Sequence, residues 1–254
     1  MISTMYLNLK KVFTGLAVAV FWLAVWALGA FMANQSLLMP LPYPWDVAVS
    51  LWELLGRSDF WADVGMSLLR IVTGFVLAAA VGVTLAVLTI RWRLLHTLFS
   101  PILSVVRAVP VASFIFLAFL WIAADGMPTF IAFLMVVPLV WENVRQGILS
   151  TDRHLLEMAH VFRLSRGCRF RRIWLPSVGP YLQAALSTGF GFAWKSGIAA
   201  EIICTTGRSI GAQIGAAKST LDYAQVFACT AVVVALSVVL EWLLHKAVRR
   251  EVAG

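Results

Sequence analysis

Charged side chains are scarce in this sequence. Only 13% of the 254 residues are Asp, Glu, Lys or Arg, and 61% are hydrophobic, whereas a soluble domain of this length carries roughly 25% charged residues. The apolar residues also occur in long runs, which leaves too little polar surface to cover a soluble globule. In lipid, only helices and closed barrels satisfy their backbone groups, and these runs far exceed the ~10-residue alternating segments of a barrel strand. The sequence therefore predicts an all-α integral membrane protein.

The motifs of nucleotide binding, metal binding and catalysis are also missing. There is no GxxxxGK[ST] run to hold phosphates, and the four histidines form no HExxH motif. The three cysteines, Cys168, Cys204 and Cys229, have no metal-ligand spacing, and their predicted positions imply no disulfide. We therefore expect no catalytic residue, no metal site and no cofactor in this chain.

The net charge of +8 could indicate a nucleic-acid partner, but the distribution of the basic residues favours another explanation. Fourteen of the 20 basic residues fall on one side of the predicted spans, and only Arg57, Arg208 and Lys218 fall on the other. Lys and Arg accumulate in the cytoplasmic loops of membrane proteins. The asymmetry predicts that both termini are cytoplasmic, which requires an even number of spans.

Apolar runs of about 20 residues predict six transmembrane helices. They cover residues 12–33, 64–90, 98–123, 128–141, 178–204 and 224–247. A cleaved signal peptide is the alternative for the first run, but such signals have an apolar stretch of roughly 7–15 residues, so a retained helix is favoured. The chain then divides into an N-terminal helix with an outer interfacial segment (1–58), a helical core (59–247) and a cytoplasmic tail (248–254).

The longest polar stretch, residues 142–175, holds seven arginines. Within it, residues 151–172 have the pattern of one amphipathic helix, with Leu155, Leu156 and Ala159 on its apolar face. Pro176 is expected to stop or kink the chain where the fifth span begins. On this pattern alone two interpretations stay open: a docking element for a soluble partner, or a juxtamembrane helix that lies on anionic lipid.

A sequence motif in this stretch resembles a known family. Glu157-Met158-Ala159, followed sixteen residues later by Leu175-Pro176, resembles the EAA loop of ABC importer permeases. In that family the loop forms a coupling helix that sits in a cleft of the ATPase subunit. The resemblance implies a coupling role for Glu157, Ala159, Phe162, Arg163, Leu175 and Pro176. The family usually has glycine where this chain has Arg163.

Further motifs, in the same order, resemble the nitrate, sulfonate, taurine and bicarbonate branch of these permeases. They are Leu41-Pro42-Tyr43-Pro44, residues 67–75 (SLLRIVTGF), Arg107-Ala108-Val109-Pro110, and Ala193-Trp194-Lys195 with Ala200-Glu201. The resemblance implies the type I ABC importer architecture over residues 59–247, in a bacterial inner membrane. It also implies a second permease copy, most simply a homodimer, a separate ATPase subunit that uses ATP, and an extracytoplasmic solute-binding protein.

The implied solute is small and anionic, such as a sulfonate, nitrate or taurine, although relatives also carry pyrimidine vitamin precursors. A stand-alone secondary transporter or channel, driven by an ion gradient without an ATPase, is the rival from another class. A membrane anchor that transports nothing is a further one.

Charges inside the spans are candidates for the translocation path, because a charge near the bilayer centre costs about 2.5–3.5 kcal/mol and usually faces a cavity or a partner. The candidate path residues are Arg107, Trp194, Lys195 and Glu201. Lys195 is the sharpest case, because it lies within the fifth span beside small residues. The structural alternative is an ion pair of Glu201 with Arg70 or Lys195. We also expect Gly207, Gly211 and Gly215 to form a flexible outer loop.

Overall fold

The computed structural model describes residues 2–35 and 40–252, and every regular element in this part of the chain is a helix. The long helices are α1 (Ile2–Asn34), α3 (Ser58–Arg91), α4 (Arg93–Ala108), α6 (Met127–Leu149), α9 (Leu175–Cys204) and α11 (Tyr223–Val252). The short helices are α2 (Pro44–Leu55), α5 (Val111–Ala118), α7 (Arg153–Val161), α8 (Arg166–Arg169) and α10 (Ile210–Ser219). A 3₁₀ turn at Ala124–Gly126 precedes α6, and a π-helical turn at Phe170–Trp174 joins α8 to α9.

The prediction of an all-helical membrane protein is confirmed. Four helical segments among the described residues are long and apolar enough to cross a membrane, namely Phe13–Asn34, Ser58–Arg91, Ala124–Leu149 and Tyr223–Leu244. The pair α4 and α5 adds a fifth span if it is counted as one bent element. The fifth predicted span, α9, has ample length at 30 residues but does not meet the same apolar criterion.

The predicted third span, residues 98–123, is wrong as a continuous helix. The chain leaves the helical conformation at Val109, with φ −82° and ψ 135°, and α5 departs from the direction of α4 by 107°. Pro110 explains the break, because proline disfavours the helical conformation of the residue before it and has no amide hydrogen to donate.

Three helices, α3, α6 and α9, form the centre of the fold. Gly74 of α3 approaches the Thr129 carbonyl of α6, and Gly82 lies against Val140, so α3 and α6 run in the same direction. Gly147 of α6 lies against Tyr181 of α9, and α9 runs the opposite way. Small residues allow these backbones to approach closely, which supplies the packing energy that lipid does not.

The N-terminal helix is the least buried of the four candidate spans. Only 6% of its apolar window is buried, and Trp26 stacks on Phe227 of α11 with ring centroids 5.8 Å apart. At the other end of the chain, α11 extends to Val252, so the predicted tail is helical as far as it is described; residues 253 and 254 lie outside the described part.

The close contact at Gly74 gives a first prediction. A Cβ there would collide with the Thr129 carbonyl, whereas a Cβ on Gly65 of the same helix would meet nothing within 4 Å. Gly74→Ala should therefore destabilise the protein by about 1–3 kcal/mol, and Gly65→Ala should be neutral or gain about 0.5–1 kcal/mol of helix stability. Thermal unfolding of the detergent-solubilised protein measures both. Equal shifts for the two variants would contradict this packing.

Candidate functional site

The segment around Glu157 forms a short helix between the long helices α6 and α9. Asp152 caps α7, because its carboxylate accepts a hydrogen bond of 2.8 Å from the His154 amide. Ala159 is fully buried and faces the protein, while the Glu157 side chain is 74% exposed and lies 3.9 Å from His154. The Ala159 side of α7 therefore faces the protein, and the Glu157 side chain faces outward.

The predicted single helix over residues 151–172 is wrong, because α7 ends in a turn at Phe162. The Leu164 amide donates to the Ala159 carbonyl at 3.0 Å, and the Arg163 amide donates to the His160 carbonyl at 3.0 Å. These two bonds form a Schellman motif, whose residue after the cap adopts the left-handed conformation. Arg163 occupies that position with φ 50°.

The left-handed conformation at position 163 explains why glycine suits this position, at which this chain has arginine. A left-handed residue costs roughly 1–2 kcal/mol unless it is glycine, and glycine is what the family usually has there. The turn nevertheless forms with arginine, which is exposed. The segment around Glu157 therefore keeps this turn at the cost of local backbone strain.

The other motif residues of this segment, Leu175 and Pro176, lie on the helix that enters the membrane. Both are exposed. Of the two outcomes expected at Pro176, a stop or a kink, the stop is wrong, because the backbone is helical without interruption from Arg166 to Cys204. A π-helical turn lies just before the proline, where the Leu175 amide donates to the Phe170 carbonyl. This wider turn lets the helix continue through Pro176, which has no amide hydrogen to donate.

Glu201 lies near the opposite end of the same helix and is completely buried. Its Oε2 accepts hydrogen bonds from the Ser67 hydroxyl at 2.8 Å and from the Gly211 amide at 3.2 Å. The Ser67 hydroxyl in turn accepts from the Ile210 amide at 3.0 Å. One carboxyl group and one hydroxyl therefore join α3, α9 and α10.

The expected ion pair of Glu201 with Arg70 or Lys195 is not found among the described residues. Arg70 instead donates to Asp125 at 2.8 Å and to the Arg208 carbonyl at 3.0 Å. Asp125 also accepts from the Gly207 amide at 3.2 Å. The Arg70 guanidinium thus connects the turn after α9 to the turn before α6 and forms no ion pair with Glu201 in the described part of the chain.

Of the three glycines expected in a flexible outer loop, only Gly207 lies in the turn after α9. Gly211 and Gly215 lie in α10, and a Cβ on Gly211 would collide with the Glu201 side chain. Glycine is required there because α10 packs directly on α9 at the buried carboxyl.

The candidate path residues do not form one cluster. Trp194 is buried and its indole donates to the Val233 carbonyl of α11 at 3.1 Å. Lys195 and Arg107 are exposed and have no hydrogen bond or ion pair among the described residues. About 50 Å of helix separates Arg166 from Glu201, so the segment around Glu157 and the buried network around Glu201 lie at opposite ends of this helix.

Sequence reasoning missed Glu241. It lies inside the sixth predicted span, a position that marks an ionisable residue as a candidate, and its carboxylate approaches Gly191 of α9. Asp125 was also missed, because nothing in the sequence indicates that it meets Arg70 across 55 residues.

Comparison with known proteins identifies relatives. Residues 74–252 match the family described as binding-protein-dependent transport system inner membrane component. A probable ABC transporter permease protein of Brucella melitensis is 28% identical over 93% of this chain and 96% of its own length. The nitrate import permease protein NrtB of Leptolyngbya laminosa is 28% identical over 66% of this chain and 61% of its own.

The fold is also that of a solved transporter. The crystal structure of an amino acid ABC transporter with histidines superposes with a TM-score of 0.61 at 16% identity, covering 77% of this chain and 93% of that one.

The strained turn at Arg163 gives a second prediction. Arg163→Gly should raise the thermal midpoint and Arg163→Val should lower it, because glycine relieves and a β-branched residue increases the left-handed penalty of about 1–2 kcal/mol. Arg153→Gly is the matched control, since Arg153 is an exposed arginine in the first turn of α7. Glycine should destabilise there. The same sign for both glycine variants would contradict the geometry of the turn.

Proposed function

This chain belongs to the family of binding-protein-dependent transport system inner membrane components. We propose that it transports a small anionic solute, and that an ATPase subunit drives this transport through contacts with α7. It is the permease subunit of an ABC importer, a multi-pass inner-membrane protein and not an enzyme. In this proposal ATP is bound and hydrolysed on a separate cytoplasmic ATPase subunit. A solute-binding protein delivers the solute, and a second copy of this chain completes the pathway.

The exposed surface at the end of α7 supports the proposed coupling role. Val161 and Phe162 expose 76% and 72% of their area, next to the exposed Glu157. Large apolar side chains grouped on a surface mark an interaction site. The Asp152 cap and the Schellman turn order the two ends of α7, and Ala159 on its other side is buried, so we expect a force on this surface to move α7 as a unit.

The helix that follows can carry such a movement across the membrane. Because the backbone is helical from Arg166 to Cys204, a displacement at the turn after α7 is passed along about 57 Å of continuous helix. At the other end Glu201 is hydrogen-bonded to Ser67 and Gly211. We infer that α9 has two arrangements and that the ATPase favours one of them, because it binds α7 more strongly in that arrangement.

Lys195 supports an anionic solute. It is exposed on α9, and a lysine that faces lipid near the bilayer centre costs about 2.5–3.5 kcal/mol. It is therefore expected to face water or the second copy, where its charge attracts anions. The similarity to the nitrate import permease points to the same class of solute.

Charge reversal at Glu157 tests the coupling surface. Glu157→Arg should lose co-purification with the ATPase subunit and at least tenfold of ATP-dependent uptake, because it replaces the acid at the centre of the exposed surface. Glu53→Arg is the matched control, since Glu53 is also exposed but lies on α2, at the opposite end of the helices. Retained association in the Glu157→Arg variant, or equal loss in both, would refute docking at α7.

A further inference from the structure

Four arginines lie within seven residues where the chain leads into α9. They are Arg166, Arg169, Arg171 and Arg172. The sequence has no aspartate or glutamate between Glu157 and Glu201. None of the four arginines forms an ion pair with any residue that the structure describes. Their positive charge is therefore not neutralised within the described part of the chain.

The exposed side of this stretch combines charge with apolar surface. Three of the arginines are exposed, namely Arg166, Arg171 and Arg172. Beside them, Phe170 and Leu175 expose 60% and 52% of their area, whereas Ile173 is buried and faces the protein. We call the five exposed residues the basic patch. Arginines interspersed with exposed apolar side chains are typical of a helix that lies at a membrane surface.

The basic patch lies close to the point where α9 enters the membrane. Arg172 precedes the predicted span, which begins at residue 178, by about 9 Å of helix. The headgroup layer outside the hydrocarbon core is roughly 5–8 Å thick, and the long arginine side chain extends the reach of its charge. The guanidinium groups can therefore reach lipid phosphates, and Leu175, three residues nearer to the span, can reach acyl chains.

The turn after α7 separates the basic patch from the surface around Glu157. Because α7 ends at Phe162 in a Schellman motif, the two surfaces belong to two helices and not to one amphipathic helix. The surface on α7 contains the acid Glu157, whereas the basic patch contains only cationic and apolar side chains. The polar stretch of the sequence can therefore bind a protein through α7 and lipid through the helix that follows.

We propose that the basic patch binds anionic phospholipid, with its guanidinium groups on the headgroup phosphate and with Phe170 and Leu175 against the acyl chains. Arginine forms forked, charge-assisted hydrogen bonds with phosphate. A cluster of basic residues beside a span is attracted to anionic headgroups, and each residue contributes about fivefold in affinity. The proposal depends neither on the solute nor on docking at α7.

Native mass spectrometry of the purified full chain in detergent tests the proposal without an ATPase. The probes are phosphatidylglycerol and phosphatidylcholine of equal chain length, which share a phosphate but differ in net charge. Wild type should bind phosphatidylglycerol at least tenfold more tightly, and added salt should weaken this binding. Replacing Arg166, Arg171 and Arg172 together by glutamine should lower phosphatidylglycerol affinity at least tenfold and leave phosphatidylcholine binding within twofold of the wild type.

A matched variant separates this site from the effect of net charge. Replacing Arg57, Arg208 and Lys218 by glutamine removes three exposed cations at the Glu201 end of α9, and this variant should bind phosphatidylglycerol like the wild type. Lysine at the three positions of the basic patch retains the charge and should keep binding within tenfold. Inorganic phosphate should bind the wild type no more tightly than the glutamine variant, because it has no acyl chains.

Equal affinity of the wild type for the two lipids would overturn the proposal, and so would an equal loss in the two glutamine variants. A basic-patch variant that binds phosphatidylglycerol normally but no longer co-purifies with the ATPase would assign the arginines to a protein interface instead. Thermal unfolding in lipid-free detergent checks folding, and the basic-patch variant should keep the wild-type midpoint. Loss of lipid binding with retained ATPase association would leave the proposed coupling function unchanged.

Discussion

One uninterrupted helix joins the two ends of this protein. From Arg166 to Cys204 the backbone stays helical although Pro176 lies inside it. Proline commonly interrupts a helix, because it has no amide hydrogen to donate. The π-helical turn at Phe170–Trp174 lets the chain pass the proline without such a break. The proposed transmission of work across the membrane depends on this continuity.

The far end of that helix is fixed by polar contacts instead of apolar packing alone. The buried Glu201 carboxyl accepts from Ser67 of α3 and from the Gly211 amide of α10. Arg70, one turn after Ser67, bonds to Asp125 and to the Arg208 carbonyl. A shift of α9 would therefore carry α10 with it or break these bonds.

Hydropathy predicted the helical membrane fold, because lipid imposes a long apolar run on each span. It predicted the third span poorly, because the average hydropathy of residues 98–123 stays high across Pro110 while the helix axis turns by 107° there. The motif around Glu157 directed attention to this segment, whose coupling role stays a prediction, but the turn after α7 was found only in the structure, because amphipathic spacing continues through Arg163. The partners of Glu201 were also beyond sequence reasoning: a hydroxyl 134 residues away and a backbone amide leave no charge pattern.

Transmission of work along this helix is tested most directly by the ratio of solute transported to ATP hydrolysed, measured in variants that weaken the π-helical turn. Replacing Arg171 and Arg172 together by glycine weakens the helix, and replacing both by alanine removes the same charges but preserves it. We predict that the alanine variant of the complete transporter keeps the wild-type ratio, while the glycine variant hydrolyses ATP with little transport. A normal ratio in the glycine variant would contradict transmission along this helix.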